Sequence, residues 1–377
     1  MKKFMKSLHL WLSLPVGLVI SIICFTGAML IFEREITESL QHRYYYVERV
    51  GDRTITLDDA VAAVTPTLQE GQRITGITIS KHRERTWKIN LSQPKHAAVY
   101  VDQYSGKVLG TPERLPFFRT MFRLHRWLMD TRPEDGAIYW GKVIVGISTL
   151  TLVVILLTGI IIWIPKSLNM WKNRSRISVR RGYKKFLYDL HVAGGIYAAL
   201  LLLAMALTGL TWSFEWYRNG VYRLFGAESG TTTAQQTKAK SRAAGGYAMS
   251  GVAYEDVVAR YDDYADVTIT PTTLSVKLSG MGNPRAADRY VVDGATGDII
   301  SEEMYDDASR QQKMRGWIYA IHVGNFGGYV TRVLWFLAAM LGASLPLTGY
   351  YLWIKRKFVK RCNYSSCDTC LKHIYVE

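Results

Sequence analysis

Residues 8–33 read LHLWLSLPVGLVISIICFTGAMLIFE, and residues 190–215 read LHVAGGIYAALLLLAMALTGLTWSFE. Both stretches open on a histidine between apolar residues (Leu8-His9-Leu10, Leu190-His191-Val192). Both run without charge to a Thr-Gly step (Thr26-Gly27, Thr208-Gly209) and close on an acid (Glu33, Glu215), at a constant offset of 182 positions. A segment that keeps a histidine, a Thr-Gly pair and a terminal acid in register is an internal repeat, and the repeat sets the architecture. A histidine at the edge of an apolar run is also well suited to ligating a metal or haem.

Four such charge-free runs occur: Leu10–Phe32, Val143–Ile164, Val192–Phe214 and Val333–Ile354. Each has about the 20 residues needed to cross about 30 Å of hydrocarbon, so four transmembrane helices and a lipid bilayer as partner are expected. The first lacks a small-residue cleavage site and its repeat partner is internal, which argues for an uncleaved anchor rather than a signal peptide. The net charge of +16 belongs to this topology and not to nucleic acid. Lys2, Lys3 and Lys6 precede the first run, eight Lys and Arg residues from Lys166 to Lys185 separate the second and third, and Lys355–Arg361 follow the fourth. Positive-inside bias then puts both termini and the central loop in the cytoplasm, with the two long acidic segments outside.

Those segments also match each other. Thr56–Val64 reads as a short helix with an acidic first turn, and Ala253–Tyr261 is its counterpart. Strand-like alternation follows at Arg73–Ser80 and Thr86–Leu91, and again at Val267–Thr270 and Leu274–Leu278. Tyr100–Leu109 and Tyr290–Ile300 each place an Asp and a Gly between β-rich residues, as a hairpin does. Each segment is thus a small α+β module. Ser229–Gly251, rich in Thr, Ala, Gly, Ser and Gln, reads as an exposed connection.

The expected order is a transmembrane helix at 1–33, an outer module at 34–116, an outer helix and second span at 117–166, and a basic cytoplasmic loop at 167–189. The third span at 190–218, an outer linker at 219–251 and a second module at 252–309 come next. An outer segment with the fourth span at 310–356 and a Cys-containing tail at 357–377 complete it.

Topology sorts the histidines. His9 and His191 open outward-running spans and lie near the cytoplasmic surface; His125 and His322 precede inward-running spans and lie at the outer surface. His9 and His125 are separated by roughly 30 Å of hydrocarbon, so the pairs are His9 with His191 and His125 with His322, one per face. Two histidines on neighbouring helices can hold the iron of a b-type haem in a bundle core. Gly17, Gly194 and Gly195 are expected to open slots for a flat macrocycle, and the Thr-Gly pairs, including Thr158-Gly159 and Thr348-Gly349, to permit close helix approach. Arg119, Arg123 and Arg126 are candidate propionate contacts outside, and Lys6, Arg181 and Lys184 inside. His42, His82 and His96 read as surface residues. Trp163 and Trp353 match between repeats at the inner edge; an interfacial aromatic belt accounts for them, with a haem contact as the sharper alternative.

Leu124-His125-Arg126-Trp127-Leu128, Leu157-Thr158-Gly159 through Trp163-Ile164-Pro165-Lys166, Ile321-His322-Val323 and Leu347-Thr348-Gly349 through Trp353-Ile354-Lys355 give the chain, outside its tail, a resemblance to the PepSY-associated transmembrane-helix proteins. The second copy departs from the pattern, with Val323-Gly324 where the first has Arg126-Trp127 and Lys355 where the first has Pro165. The resemblance implies an integral membrane α-helical protein, four transmembrane helices from a tandem duplication, with two small α+β PepSY-like extracytoplasmic modules in the bacterial inner membrane. It also implies two haem b groups and, for some members, reduction of ferric siderophores.

The expected activity is therefore that of a haem-dependent ferric-chelate reductase working on the periplasmic side in iron uptake. No C-x-x-C-H and no G-x-G-x-x-G after a strand occurs, so a separate cytoplasmic flavoprotein or a quinol is the expected electron donor. The rival readings are a non-enzymatic anchored module that binds a peptidase or other protein, and a haem sensor or carrier. The tail motif Cys362-x₄-Cys367-x₂-Cys370-x₂-His373 suits an iron–sulfur or zinc site, with reduced free thiols as the plain alternative.

Overall fold

The computed structural model describes residues 1–94, 97–134, 136–227 and 246–364, with the side chains of 358–364 left aside. His96, Cys367, Cys370 and His373 lie outside the described residues, as do the Cys362 side chain and residues 228–245 of the expected linker. Two compact units result. One comprises Met1–Ile31, Phe117–Tyr217 and Arg332–Glu377, the other Phe32–Pro116 and Arg218–Thr331.

Four helices are long and apolar enough to cross a membrane: Lys2–Ile31, Trp140–Trp163 and Tyr183–Ser213 in the first unit, and Asn325–Lys357, which belongs to it from Arg332 onward. The helices outrun the apolar runs that predicted them, because a helix once nucleated continues through Lys and Arg residues with good helix propensity. Ile20 and Cys24 from the first span, Ile155 and Leu156 from the second, Ala198, Ala199 and Leu202 from the third, and Ala338 and Ala343 from the fourth form the core. Small residues set its spacing. A Cβ on Gly342 would meet Leu202 Cδ2 at 2.7 Å and Cys24 Sγ at 3.1 Å, so the third and fourth spans approach where only glycine fits. The third span is not a plain α-helix. Between Tyr183–Asp189 and Gly195–Ser213 lies one π-helical turn, Leu190–Gly194, which carries His191.

The second unit is built on one eight-stranded antiparallel sheet: β1 Ile74–Ser80, β2 Trp87–Leu91, β3 Ala98–Val101, β4 Val108–Gly110, β5 Asp266–Thr270, β6 Thr273–Lys277, β7 Ala287–Val292 and β8 Ile299–Glu303. Its order, β4-β3-β2-β1-β5-β6-β7-β8, is symmetric about the central pair. There Ile77 faces Ile269 and Thr78 faces Thr268. The two strand sets expected from the sequence are present, but they share one sheet instead of standing as separate modules. Period-2 alternation gives the sheet two unlike faces. Ile77, Ile89, Val101, Val267, Ile269, Leu274 and Val276 point into a core closed by the helices Leu57–Val64 and Ala248–Val258. The Leu57–Val64 helix starts with a capping box in which Thr56 and Asp59 satisfy each other's backbone N–H. On the other face, registers align Tyr100, Lys88, Thr78, Thr268, Ser275, Arg289 and Glu303 in one polar row. The linker expected at 219–251 is helical at both ends, in Glu215–Leu224 and from Ala248 onward.

Candidate metal-ligating histidine site

His9 on the first span and His191 on the π turn of the third are brought together, with ring centroids 6.4 Å apart and ring planes at 90°. Each ring is held by a Thr-Gly step on another helix. His9 Nδ1 lies 3.0 Å from the Ile155 carbonyl oxygen and 3.2 Å from Thr158 Oγ1. His191 Nδ1 lies 3.0 Å from both the Leu345 carbonyl oxygen and Thr348 Oγ1. The glycine supplies room: a Cβ on Gly159 would stand 3.3 Å from His9 Cε1, and one on Gly349 would stand 3.2 Å from His191 Cε1. The same seat recurs at His125, whose Nδ1 lies 2.9 Å from the Ile23 carbonyl and 3.5 Å from Thr26 Oγ1, with Gly27 against Cε1.

These contacts assign the tautomer. A carbonyl oxygen only accepts, so each Nδ1 carries the proton and donates it. The threonine hydroxyls spend their own protons on the same carbonyls, Thr158 to Ile155 at 2.9 Å and Thr348 to Leu345 at 2.8 Å, which leaves their oxygens as acceptors for the ring. The neutral imidazole then presents a lone pair at Nε2, the arrangement in which a second partner orients a ligating histidine. Among the described residues neither Nε2 of His9 and His191 has a hydrogen-bond partner.

The separation fits an iron between the rings. Two metal–nitrogen bonds of about 2 Å and two ring radii of about 1.1 Å span about 6.2 Å. An edge-to-face aromatic contact spans the same range, so the distance gains its meaning from the matched tautomers. Among the described residues no group of three or more His, Cys, Asp or Glu is placed to hold a metal ion. A two-histidine set suits a tetrapyrrole, which brings four in-plane nitrogens of its own.

Other expectations are placed as follows. His125 lies in the helix Pro116–Trp127 of the first unit. His322 lies in the last turn of the helix Arg310–Val323 of the second, which ends on the left-handed Gly324. Arg123 donates to the Met129 carbonyl at 3.0 Å, and Arg126 lies over the Phe122 and Trp127 rings. Arg119, Arg181, Lys6 and Lys184 are exposed. His42 is exposed and stacks on Tyr46, and His82 is exposed beside Glu84. Gly17 opens no slot, while at Gly195 the nearest side chain stands at an ordinary contact distance of 3.7 Å. The space at Gly17 is taken by Tyr350, which donates to the Leu14 carbonyl; the neighbour at Gly195 is Leu345.

The sequence reading missed two features. The Thr-Gly steps hold histidines, a role that only the partner helix reveals. Asp189, buried just before the π turn, accepts from the Ser178 backbone N–H at 3.2 Å and from Lys185, pinning the basic loop to the turn that bears His191.

The family profile of the PepSY-associated TM region matches residues 6–356. No curated protein matches the chain.

Proposed function

Because this chain belongs to the family of the PepSY-associated TM region, we propose that it is a transmembrane electron-transfer protein that binds two haem b groups and reduces ferric chelates. The observation that carries this reading is the His9–His191 pair, with both Nδ1 atoms committed to carbonyl–threonine seats and the rings 6.4 Å apart. His9 and His191 hold one group; His125, whose Nδ1 is seated in the same way, is a ligand of the other. Haem bound there supplies one-electron chemistry. The residues contribute fixed imidazole orientation, raised ligand basicity through the Nδ1 bonds, and a dry helical surround.

The substrate is an Fe(III) chelate with hard oxygen donors, a ferric siderophore in the first instance. One electron converts it to Fe(II), for which such donors have less affinity, and the iron is released. A cytoplasmic flavoprotein or a quinol gives up that electron. Positive-inside bias orients the chain in the bacterial inner membrane with both termini and the 167–182 loop inside and the sheet in the periplasm. The two halves of the sheet are read as PepSY-like modules from a tandem duplication, on the strength of the symmetric strand order. Their polar row offers hydrogen-bonding partners for a chelate. Within it the Lys88 ammonium is held below the usual lysine range by burial, against the pull of Asp266 and with the help of Lys277 and Arg34. The Lys88 side chain has no ion pair among the described residues, so an anionic chelate would complete it.

The test is an absorption spectrum of the detergent-purified protein before and after dithionite, beside His9→Ala and His125→Ala. A sharp reduced α-band, with each variant losing about half of the haem, is the expected outcome. Colourless protein from haem-replete cells would sink the proposal and favour an anchored binding module.

A further inference from the structure

The His9 and His191 rings are crossed, with their planes at 90°. An imidazole bound to a metal through Nε2 is able to turn about the metal–nitrogen bond, so its plane is fixed by atoms off that axis. Here Nδ1 is such an atom. His9 Nδ1 is shared between the Ile155 carbonyl at 3.0 Å and Thr158 Oγ1 at 3.2 Å, and His191 Nδ1 between the Leu345 carbonyl and Thr348 Oγ1, both at 3.0 Å. One N–H held between two acceptors resists turning in either sense. Thr158 and Thr348 are buried, so solvent does not compete for the rings. The seats stand on different helices, the second span and the fourth, so neither ring is free to follow the other. His191 is constrained again through its backbone. Its π turn begins at Asp189, a buried carboxylate that accepts from the Ser178 N–H and from Lys185.

The angle has a chemical consequence. Each axial imidazole donates π density, perpendicular to its own plane, into an iron d orbital. Parallel rings load the same orbital and split a pair of d levels. Crossed rings load one each and leave the pair nearly equal in energy. Low-spin Fe(III) keeps its unpaired electron in that pair and gains from the splitting, whereas low-spin Fe(II) fills the pair and gains nothing. Crossed rings therefore withhold stabilisation from Fe(III). This opposes the Nδ1 bonds, which make both ligands more basic and favour Fe(III). Ligand orientation and outer hydrogen bonds are thus two separate levers on one potential.

We propose that Thr158 and Thr348 are positioning residues that lock the axial imidazoles of the His9–His191 haem at right angles, and that the crossed pair holds its potential above that of a parallel pair. A higher potential makes the site a readier acceptor of the donor's electron. The proposal rests on the haem reading of this site and adds to it a fixed ligand angle and the residues that set it.

The test is electron paramagnetic resonance of the oxidised full-length protein at liquid-helium temperature, with a redox titration followed at the reduced α-band. The wild type, Thr348→Val and Thr348→Ser are compared, each alone and beside His125→Ala, which removes a ligand of the other group. The wild type is expected to show a strongly anisotropic signal with one broad low-field resonance, the mark of a nearly equal pair. Thr348→Val should replace it with the three-line rhombic signal of rings nearer parallel. It should also shift the Fe(III)/Fe(II) ratio about tenfold toward Fe(III), a potential lower by about 59 mV for one electron. Thr348→Ser, which keeps the hydroxyl, should restore both wild-type readings; a variant that merely loosened packing would not be rescued in this way. If the His125→Ala proteins are not recovered, the difference between wild type and Thr348→Val isolates the signal of this site. A wild type with rhombic signals alone overturns the proposal, as does Thr348→Val with the low-field resonance and potential unchanged. Those outcomes leave the haem reading standing, whereas protein without haem overturns both.

Discussion

At the scale of single residues, a glycine decides whether a histidine can sit. Gly27, Gly349 and Gly159 each face the Cε1 of a seated imidazole, and their hypothetical Cβ atoms stand at 2.8, 3.2 and 3.3 Å. The first distance requires displacement, while the others require a shift of tenths of an ångström. Haem content is therefore expected to fall most in Gly27→Ala and least in Gly159→Ala, read from the reduced α-band of equal amounts of protein. Thr158→Val, which removes only the hydroxyl, is expected to weaken retention by about 10- to 100-fold, the usual effect of losing a partner that orients a ligand. Equal retention across the series would remove the seats from the account. The histidines themselves were legible from the repeat. Their seats were not: Thr158 lies 149 positions from His9 in the chain, and spacing along one helix does not say which neighbour that helix faces.

Among the elements, the β1–β5 pairing makes the sheet a single body. The strands read individually from alternation are close to those observed, and the helix read at Thr56–Val64 is present as Leu57–Val64, its cap revealed only by the structure. Their union was not legible, because it joins Thr78 to Thr268, 190 positions apart, and nothing in a period-2 pattern names the partner of an edge. Ile77 and Ile269, both fully buried, meet at this joint. Ile77→Ala is expected to cost about 2–5 kcal/mol, the range for truncating a buried aliphatic side chain. The loss should appear as one cooperative shift of the whole sheet in hydrogen exchange, with strands on both sides of the joint losing protection together. Loss confined to β1–β4 would mean that the halves are energetically independent. The π turn at His191 was equally hidden, since His9 in the matched segment sits in an unbroken α-helix.

For the whole molecule, four spans return the chain to its starting side. In a variant whose native cysteines are replaced, a cysteine placed at Thr67 on the sheet unit and one placed at Ser175 between the second and third spans should lie on opposite sides of the membrane. A membrane-impermeant thiol reagent applied to spheroplasts is expected to label Thr67→Cys and to spare Ser175→Cys until the cells are lysed. The reverse pattern would invert the orientation, and labelling of both would refute the four-span count. Hydrophobic run length made the four membrane-length helices the most legible part of the molecule. The helices' continuation to Lys2 and Lys357 was not legible, since charged residues end a span by hydropathy without ending a helix.

The symmetric strand order and the seated histidines share a consequence for how such a molecule is assembled. His9 finds its seat on the second span, and His191 finds its own on the fourth. The His9–His191 pair thus needs both halves of the chain, one seat from each, just as the centre of the sheet needs β1 from one and β5 from the other. If the matched segments are copies, the halves relate to each other as the protomers of a self-complementary dimer would, with the covalent link between them serving as a tether. A tether frees each protomer to drift, and Arg126-Trp127 against Val323-Gly324, or a π turn under one histidine only, are differences that two identical subunits have no means to keep.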